Sequence, residues 1–449
     1  MPRYSNSFYI RRRLMHMCVS IALAFLLSAC SLQQHYSKID RAMVSGRCDQ
    51  AVGIMGESKS EYGENARLIY LLDSAMIHME CGRFREANTF FHEAEELGEA
   101  LWTESISRQA ASLVTNEYVL PYAGEDFERA LINLFSALCY LKLDEYDEAL
   151  VECRRLDTLL SDYNARYQDK NVYKEDAFGR YISGLIHEAS GELDSAYIDY
   201  YHAFRVYQKS YTPAYDTTPP SFLVEELVRA AARVDRLNEA KRLVGSRAYK
   251  EYTGATLPEN RGKVVLIHLN GKSPVKKENK VVVPTPSGPV GVAFPEYVVD
   301  SPRCTSSKLI LQSDSNTFRA VSELGEDINR IAVKNLDDRK VRVIAKTVAR
   351  AVAKQMAIKQ ISKAATDNGD KANRQLVEFL FNTANTLFLE KADTRTWRTL
   401  PGEIYISRIF VPEGEYTAYI KTCGSSRIKL DSVRIKKGRT RFLLYSSIY

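Results

Sequence analysis

LFSALCYLKLDEYDEALVECRRL, Leu134 to Leu156, decides how the first half of the chain folds. Apolar residues recur with a helical period on both sides of Asp144, so the stretch predicts two helices joined by a tight turn. SAMIHMECGRFREANTFFHEAEE (Ser74–Glu96) and YISGLIHEASGELDSAYIDYYHAF (Tyr181–Phe204) repeat the pattern. Each has a small residue (Ala75, Ala137, Gly184), a turn residue (Gly82, Asp144, Gly191), an apolar residue (Phe84, Tyr146, Leu193) and an alanine three positions on (Ala87, Ala149, Ala196). The small side chains let paired helices approach closely, and the turn residue accepts the conformation that ends the first helix.

These stretches resemble the tetratricopeptide repeat, a helical hairpin that stacks into a solenoid. Weaker copies occur at Gly46–Ala51 and Asp235–Ala240. The intervals between copies are irregular and exceed the usual spacing of about 34 residues, so extra helices or loops intervene. An irregular helical bundle with repeat-like hairpins is the alternative. The helical region is expected over residues 36–245. SYTPAYDTTPPSF (Ser210–Phe222) interrupts it with three prolines, which do not sit in a helix interior.

GATLPENRG (Gly254–Gly262) ends that region, and residues 246–262 read as a linker. Beyond it the period becomes that of strands: KVVLIHL, NKVVV, KLILQ, then EIYISRIFV, EYTAYIK, IKLDSVRI and TRFLLYS. β-branched and aromatic runs separated by PEG and CGSS turns predict antiparallel strands. A helical hairpin is expected between the early and late strands, over residues 338–391. Its first helix would span about Asp338 to Ala365 and its second about Lys371 to Lys391. The fold class is therefore α+β: a helical-hairpin solenoid, then an antiparallel β-sandwich-like domain (263–449) carrying a helical insertion.

The N-terminus predicts a membrane address. Arg11–Arg13 precede an apolar run from Met17 to Leu27, and Leu27-Ser28-Ala29-Cys30 closes it. A positive cluster, a short apolar core and small residues before a processing point make a secretory signal, here residues 1–29. The last four residues resemble the bacterial lipobox, which implies that Cys30 is lipidated and becomes the mature terminus. More than one acyl chain, at about 0.8 kcal/mol per buried methylene, makes such an anchor stable. By resemblance to proteobacterial sorting rules, Ser31 in place of Asp implies the outer membrane. Residues 30–35 would be a brief tether on its periplasmic face.

Removing the four arginines of the signal lowers the net charge from +6 to +2, which gives no case for nucleic acid as a partner. Cys48, Cys81, Cys139, Cys153, Cys304 and Cys423 remain in what would be an oxidising compartment. They allow up to three bridges, with buried free thiols as the alternative. Cys304 and Cys423 are the best pair, since CTSS and CGSS place each beside a strand end. No CxxC or Cys/His ligand spacing occurs, so no metal site is expected.

Motifs for hydrolysis, phosphate binding or dinucleotide binding are missing from the chain. His78 and His187 fall at equivalent repeat positions, where packing or a local hydrogen bond explains them. The acidic DEYDE (Asp144–Glu148) and GEDFE (Gly124–Glu128) suit helix starts. Two features suggest contacts. Arg342, Lys346, Arg350 and Lys354 recur every fourth residue, opposite an apolar stripe, and a basic amphipathic helix can meet an anionic partner or lipid headgroups. Arg395, Trp397 and Arg398 form the second: exposed, they would be an interaction cluster; buried, Trp397 would open the sheet.

Four segments carry a wider resemblance: Gly124–Asp157, Tyr173–Phe204, LNGKSPVKKE (Leu269–Glu278) and ADTRTWRTLPGEIYISRIFVPEGEY (Ala392–Tyr416). Together they are similar to a family of proteobacterial lipoproteins of unassigned function, with a repeat-like first half and a β-rich second half. That resemblance implies location and architecture, and transfers no catalytic residue. The expected function is a non-enzymatic scaffold that binds a protein partner in the cell envelope, among them other lipoproteins. It needs no cofactor beyond the lipid on Cys30. The alternative is a cell-wall or polysaccharide-acting enzyme or binding factor.

Overall fold

The computed structural model describes residues 34–107, 120–166, 173–252, 260–284, 290–300, 304–367, 391–424 and 426–448. Helices come first and a strand-rich half follows, an α+β order. Among the described residues five helical hairpins succeed one another. They are α1 (residues 34–44) with α2 (Cys48–Glu57), α4 (Arg67–Glu80) with α5 (Phe84–Ser107), α6 (Asp126–Lys142) with α7 (Tyr146–Arg166), α8 (Ala177–Ser190) with α9 (Leu193–Val206), and α11 (Ser221–Arg233) with α12 (Leu237–Val244). Short helices α3 (Lys59–Tyr62) and α10 (Thr212–Tyr215) lie between them.

One device ends the first helix of every hairpin. Gly46, Gly82, Asp144, Gly191 and Asp235 all have φ between +56° and +86°. The next amide returns to a carbonyl at the helix end: Arg47 to Ala42, Arg83 to His78, Glu145 to Tyr140, Glu192 to His187 and Arg236 to Ala231, at 2.8–3.0 Å. A left-handed residue closes orphan carbonyls in this way, and aspartate does so where glycine is lacking. Ala75, Ala87, Ala137, Ala149 and Ala196 are fully buried between helices. At Gly184 the approach is closer still, since a Cβ there would lie 2.6 Å from the Tyr200 ring.

The proline-rich interruption begins as a π-helical turn, Tyr207–Tyr211, which runs into α10 with Pro213 in its first turn. Asp216, at φ +50°, then stops the helix. Residues 246–262 are less of a linker than expected. They contain α13 (Ser246–Tyr252), and the first strand has already begun at Arg261. Gln34 and His35 likewise belong to α1 rather than to a tether, with His35 Nδ1 3.0 Å from Ser58 Oγ.

The strands are β1 (Arg261–Lys272), β2 (Val275–Val283), β3 (Val290–Val298), β4 (Ser307–Gln312), β5 (Thr317–Val321), β6 (Glu323–Asp327), β7 (Pro401–Pro412), β8 (Gly414–Thr422), β9 (Ile428–Ile435) and β10 (Thr440–Ser447). They form one sheet in the order β10-β1-β7-β6, a second in the order β5-β4-β8-β9, and the ribbon β2-β3. The first sheet is mixed, not wholly antiparallel. After β9 the chain crosses between sheets at Lys436–Arg439 and arrives beside the start of β1, so β10 runs parallel to it, Lys263 opposite Thr440. Gly438 N donates to Arg261 O at 3.0 Å, and Lys263 N to Arg439 O at 2.9 Å.

β1 is buried on both faces. Val264 and Leu266 enter an apolar core with Leu309, Leu311, Ala418 and Ile420 of the second sheet. Val265, Ile267 and Leu269 enter a different core, continuous with that of the helices. A strand wet on one side would alternate apolar with polar residues; KVVLIHL does not, because it has no wet side.

The helical insertion starts earlier than expected. Helix α14 runs Ile328–Asp367, ten residues upstream of the anticipated start, because Asp327 Oδ1 caps it by accepting from Arg330 N at 2.9 Å. Its first turns bury Ile328, Ile331, Ala332 and Leu336. The anticipated second helix, 371–391, lies almost wholly outside the described residues, as do the signal and Cys30.

Cys304 and Cys423 form a disulfide, Cα atoms 5.3 Å apart, joining the entry of β4 to the end of β8. A second bridge, Cys48–Cys81, ties the start of α2 to the end of α4. Cys139 and Cys153 are buried free thiols, and burial raises the pKa of each.

Ala196→Glu should cost about 3 kcal/mol or more, because its carboxylate would be buried unpaired or would part α8 from α9. Denaturant unfolding monitored by circular dichroism checks this; a midpoint equal to that of the parent would contradict the packing.

Candidate functional site: the buried seam and the outer grooves

A surface helix keeps one wet face. α4 and α6 keep almost none: α4 buries every residue from Leu68 to Met79, and α6 every residue from Asp126 to Leu141 except Tyr140. One side of each packs on the second helices of the hairpins, and the other is covered by the strand half. The face of α4 and α6 turned away from the second helices is thus occupied by the chain itself.

Residues 392–400 make the deepest contact. Trp397 is fully buried, its ring edge-on to Phe91 and Phe135 with centroids 6.2 and 6.0 Å away. Its indole N–H donates to Thr399 Oγ1 at 3.0 Å, and that hydroxyl donates to Asp73 Oδ1 at 2.7 Å. Glu128 Oε1 accepts from the Trp397 amide at 2.8 Å and from Thr396 Oγ1 at 2.9 Å, while its Oε2 accepts from Tyr122 at 2.6 Å. Arg395 donates to the carbonyls of Asn65 and Leu120, at 2.8 and 2.9 Å. The Arg398 guanidinium lies 4.3 Å from the centre of the Tyr36 ring. Arg395, Trp397 and Arg398 are therefore an internal contact and not an exposed interaction cluster. Aromatic area and the two buried carboxylates draw them inward.

Asp73 also accepts from Tyr36 at 2.6 Å and Tyr62 at 2.9 Å. Burial raises the pKa of Asp73 and of Glu128, and their hydroxyl and amide donors only partly offset it. Glu128 does serve a helix start, as its sequence position suggested, by completing a capping box with Glu125. Nothing in the local pattern indicated that it also receives Trp397.

A second part of the seam is ionic. Lys263 of β1 reaches Glu188 at 2.6 Å and Glu226 at 3.1 Å. Arg408 of β7 meets Glu225 at 2.5 Å and Glu226 at 3.1 Å, and Arg229 meets Glu188 at 3.0 Å. Burial pushes the Glu188 carboxyl up, but Lys263 and Arg229 outweigh it and hold it far below the usual range. Lys263 and Arg408 lie on the helix-facing side of the sheet because Arg408 pairs with Val265 in register. A third part follows from the π turn: Tyr207 donates to Gly325 O at 2.6 Å and Tyr211 to Glu326 Oε1 at 3.0 Å. Burial raises Glu326 well above the ordinary carboxylate range.

The open surface lies elsewhere. A groove of about 790 Å³ runs between α5 and α7, lined by His92, Glu96, Glu99, Arg129, Arg154 and Thr158 among others. A smaller one of about 270 Å³ lies between α9 and α12, around Tyr197, Ile198 and Tyr201. A cleft of about 540 Å³ beside the start of α14 holds Asp216, Asp327, Asp337 and Glu403. Burial raises Asp327 to about 6, but it is committed to the α14 cap and to Arg330 at 3.0 Å. Among the described residues no His, Cys, Asp and Glu side chains cluster as a metal site, and no helix is long and apolar enough to cross a membrane.

Other anticipated residues are placed plainly. His78 Nδ1 lies 2.7 Å from Ser74 O, and His187 Nδ1 2.7 Å from Glu192 Oε2. Asp144 pairs with Arg441 at 3.1 Å and Glu145 with Arg85 at 2.5 Å. The backbone of Arg342, Lys346, Arg350 and Lys354 is in α14, but these side chains lie outside the described residues. Val341 and Met356 on the same helix are 76 % and 51 % exposed, so its apolar stripe is not fully covered by described residues. Asp73, Glu226, Lys263 and Arg408 were missed. Their signal was a lone charge beside or within an apolar run, as in YLLDSAM and KVVLIHL.

No described protein family matches the chain, and no curated protein does. Among solved structures the chain is similar to MamA protein at 16 % identity, over 50 % of this chain and 97 % of that one, with a TM-score of 0.30. A MamA from Desulfovibrio magneticus RS-1 gives 13 % identity over 50 % and 97 %, at 0.28. BtubC (BKLC) from P. vanneervenii gives 15 % over 56 % and 91 %, at 0.33. Likeness at this level carries no functional argument.

Trp397→Ala should lower stability by about 4 kcal/mol and raise amide exchange in α4 and α6, measured by hydrogen–deuterium exchange with mass spectrometry. The pH dependence should show a second signature. Burial pushes Glu80 up to about 8, with Ser446 and Lys272 opposing it. The folded state thus keeps a proton that the unfolded chain releases from about pH 4.5, and stability falls as pH rises from there towards 8. Glu80→Gln should remove that slope and stabilise the protein at the upper end by on the order of 2 kcal/mol, read from denaturant midpoints across pH.

Proposed function

We propose that the protein is an outer-membrane lipoprotein, held by acyl chains on Cys30 and facing the periplasm. In this reading it acts as a non-enzymatic scaffold that docks a protein partner of the cell envelope. A hairpin solenoid packed on a sandwich-like pair of sheets would give it a rigid platform. The observation that carries the scaffold is the seam. Three carboxylates raised by burial, Asp73, Glu128 and Glu326, are engaged by the chain's own tyrosine, threonine and backbone donors. An enzyme needs such groups open to substrate; here they join two halves. Open surface includes the outer side of the second helices, where Val151 and Ile198 are 38 % and 52 % exposed beside grooves. The basic stripe Arg342, Lys346, Arg350 and Lys354 would add contact with anionic headgroups or with the partner, at about 1 kcal/mol per charge near an anionic surface.

Two measurements test the proposal. Cys30→Ala should leave the membrane fraction or remain unprocessed; normal processing and persistence in outer-membrane vesicles after a high-salt wash would refute the anchor. A photo-crosslinking residue at Ile198 or Thr158, in the full lipidated chain, should give one discrete adduct with an envelope protein. Adducts absent from both positions would refute docking on the outer side.

A further inference from the structure

The α5–α7 groove has an unanswered charge at its floor. Arg129 of α6 is 4 % exposed and lines the groove. Its guanidinium lies 4.7 Å from the centre of the Trp102 ring and 5.2 Å from that of Tyr163. Its Nη1 is buried without a hydrogen-bond partner, and among the described residues its side chain takes part in no ion pair. The other described buried cations all have carboxylates: Lys263 and Arg229 hold Glu188, Arg408 holds Glu225, and Lys276 holds Glu125.

A guanidinium taken out of water without a counter-charge is costly, and aromatic faces return only part of that. The surroundings favour this placement. Gly124, at φ +80°, leaves room for the side chain; a Cβ there would lie 3.0 Å from Arg129 Cγ. Neighbouring carboxylates are held elsewhere: Glu95 and Glu152 both pair with Arg155, and both accept from Asn133. The arginine is thus fixed beside two touching rings with donors unused, at the floor of an open groove that the rings themselves do not line.

We propose that this groove receives a carboxylate from a peptide segment of a partner protein, paired with Arg129 at its floor. The planar fork of a guanidinium matches the two oxygens of a carboxylate. Glu96, Glu99 and Asp162 on the walls would repel a doubly charged phosphate. They suit a singly charged carboxylate whose peptide carries basic residues nearby. The inference rests on the docking function proposed above and names where and through what group the partner would engage.

Isothermal titration of the full chain tests it with four probes. These are acetyl-Lys-Ala-Lys-Ala-Ala with a free C-terminal carboxylate, the same peptide as its amide, acetyl-Lys-Ala-Glu-Ala-Lys amide, and inorganic phosphate. One of the two carboxylate peptides should bind, its identity telling a chain terminus from a side chain. The peptide lacking a carboxylate should bind weaker by about tenfold or more. Arg129→Gln should lose the binding and Arg129→Lys should restore part of it. Equal binding of the amide, preference for phosphate, no binding of either carboxylate peptide, or full binding by folded Arg129→Gln would each overturn the site. If crosslinking at Ile198 or Thr158 still succeeds in that event, the docking function survives and only this site falls.

Discussion

β1 has no face turned to water, and most of the architecture follows from that constraint. With even-numbered residues Val264 and Leu266 against the second sheet and odd-numbered Val265, Ile267 and Leu269 against the helices, the strand belongs to two cores at once. Because the side-chain period of a strand is two residues, a slip of one position would send Lys263 into the sheet–sheet core and Leu266 towards the helices. Register in β1 therefore fixes how the helical and strand halves sit on each other. The helical and strand halves thus share one apolar core, to which β1 contributes one of its faces.

The polar groups of the seam sharpen that geometry. Removing one member of a buried ion pair is expensive because the other is left uncompensated, by about 3–5 kcal/mol. Lys263 and Arg408 face Glu188, Glu225 and Glu226 across the interface, with Arg229 beside Glu188 on the helical side, so a misplaced sheet would strand several charges together. Asp73 and Glu128 impose a similar condition on residues 392–400: each must meet its hydroxyl and amide donors or stay buried without them. Apolar burial gives the seam its strength, and the polar pattern gives it one alignment.

The occupied inner face changes what the helical half has to offer. A hairpin array commonly presents its concave side to ligands. Here Trp397, Thr399 and the strand half fill that side, so the proposed docking falls to the outer helices, the cleft near α14 or α14 itself. Most cations at the seam are matched, whereas Arg129 on the outer groove is not.

Much of the fold was legible in the sequence. The spacing of Ala149 and Ala196 from Asp144 and Gly191 named the hairpins, because a left-handed turn and a close helix contact each admit few residue types. The two CxSS-like strand ends suggested the Cys304–Cys423 pair. KVVLIHL was legible as a strand but not as one covered on both faces. The sequence allowed Trp397 to be exposed or buried, and burial is what the structure shows; Lys263, Asp73 and Arg129 looked like ordinary charges beside apolar runs. By itself, then, the sequence determined the local elements and their order, since backbone conformation and side-chain periodicity are properties of neighbouring residues. Which faces met, which charges were answered and which was left open were decided only by the tertiary structure, because burial and pairing depend on residues up to a few hundred positions apart, as between Asp73 and Thr399.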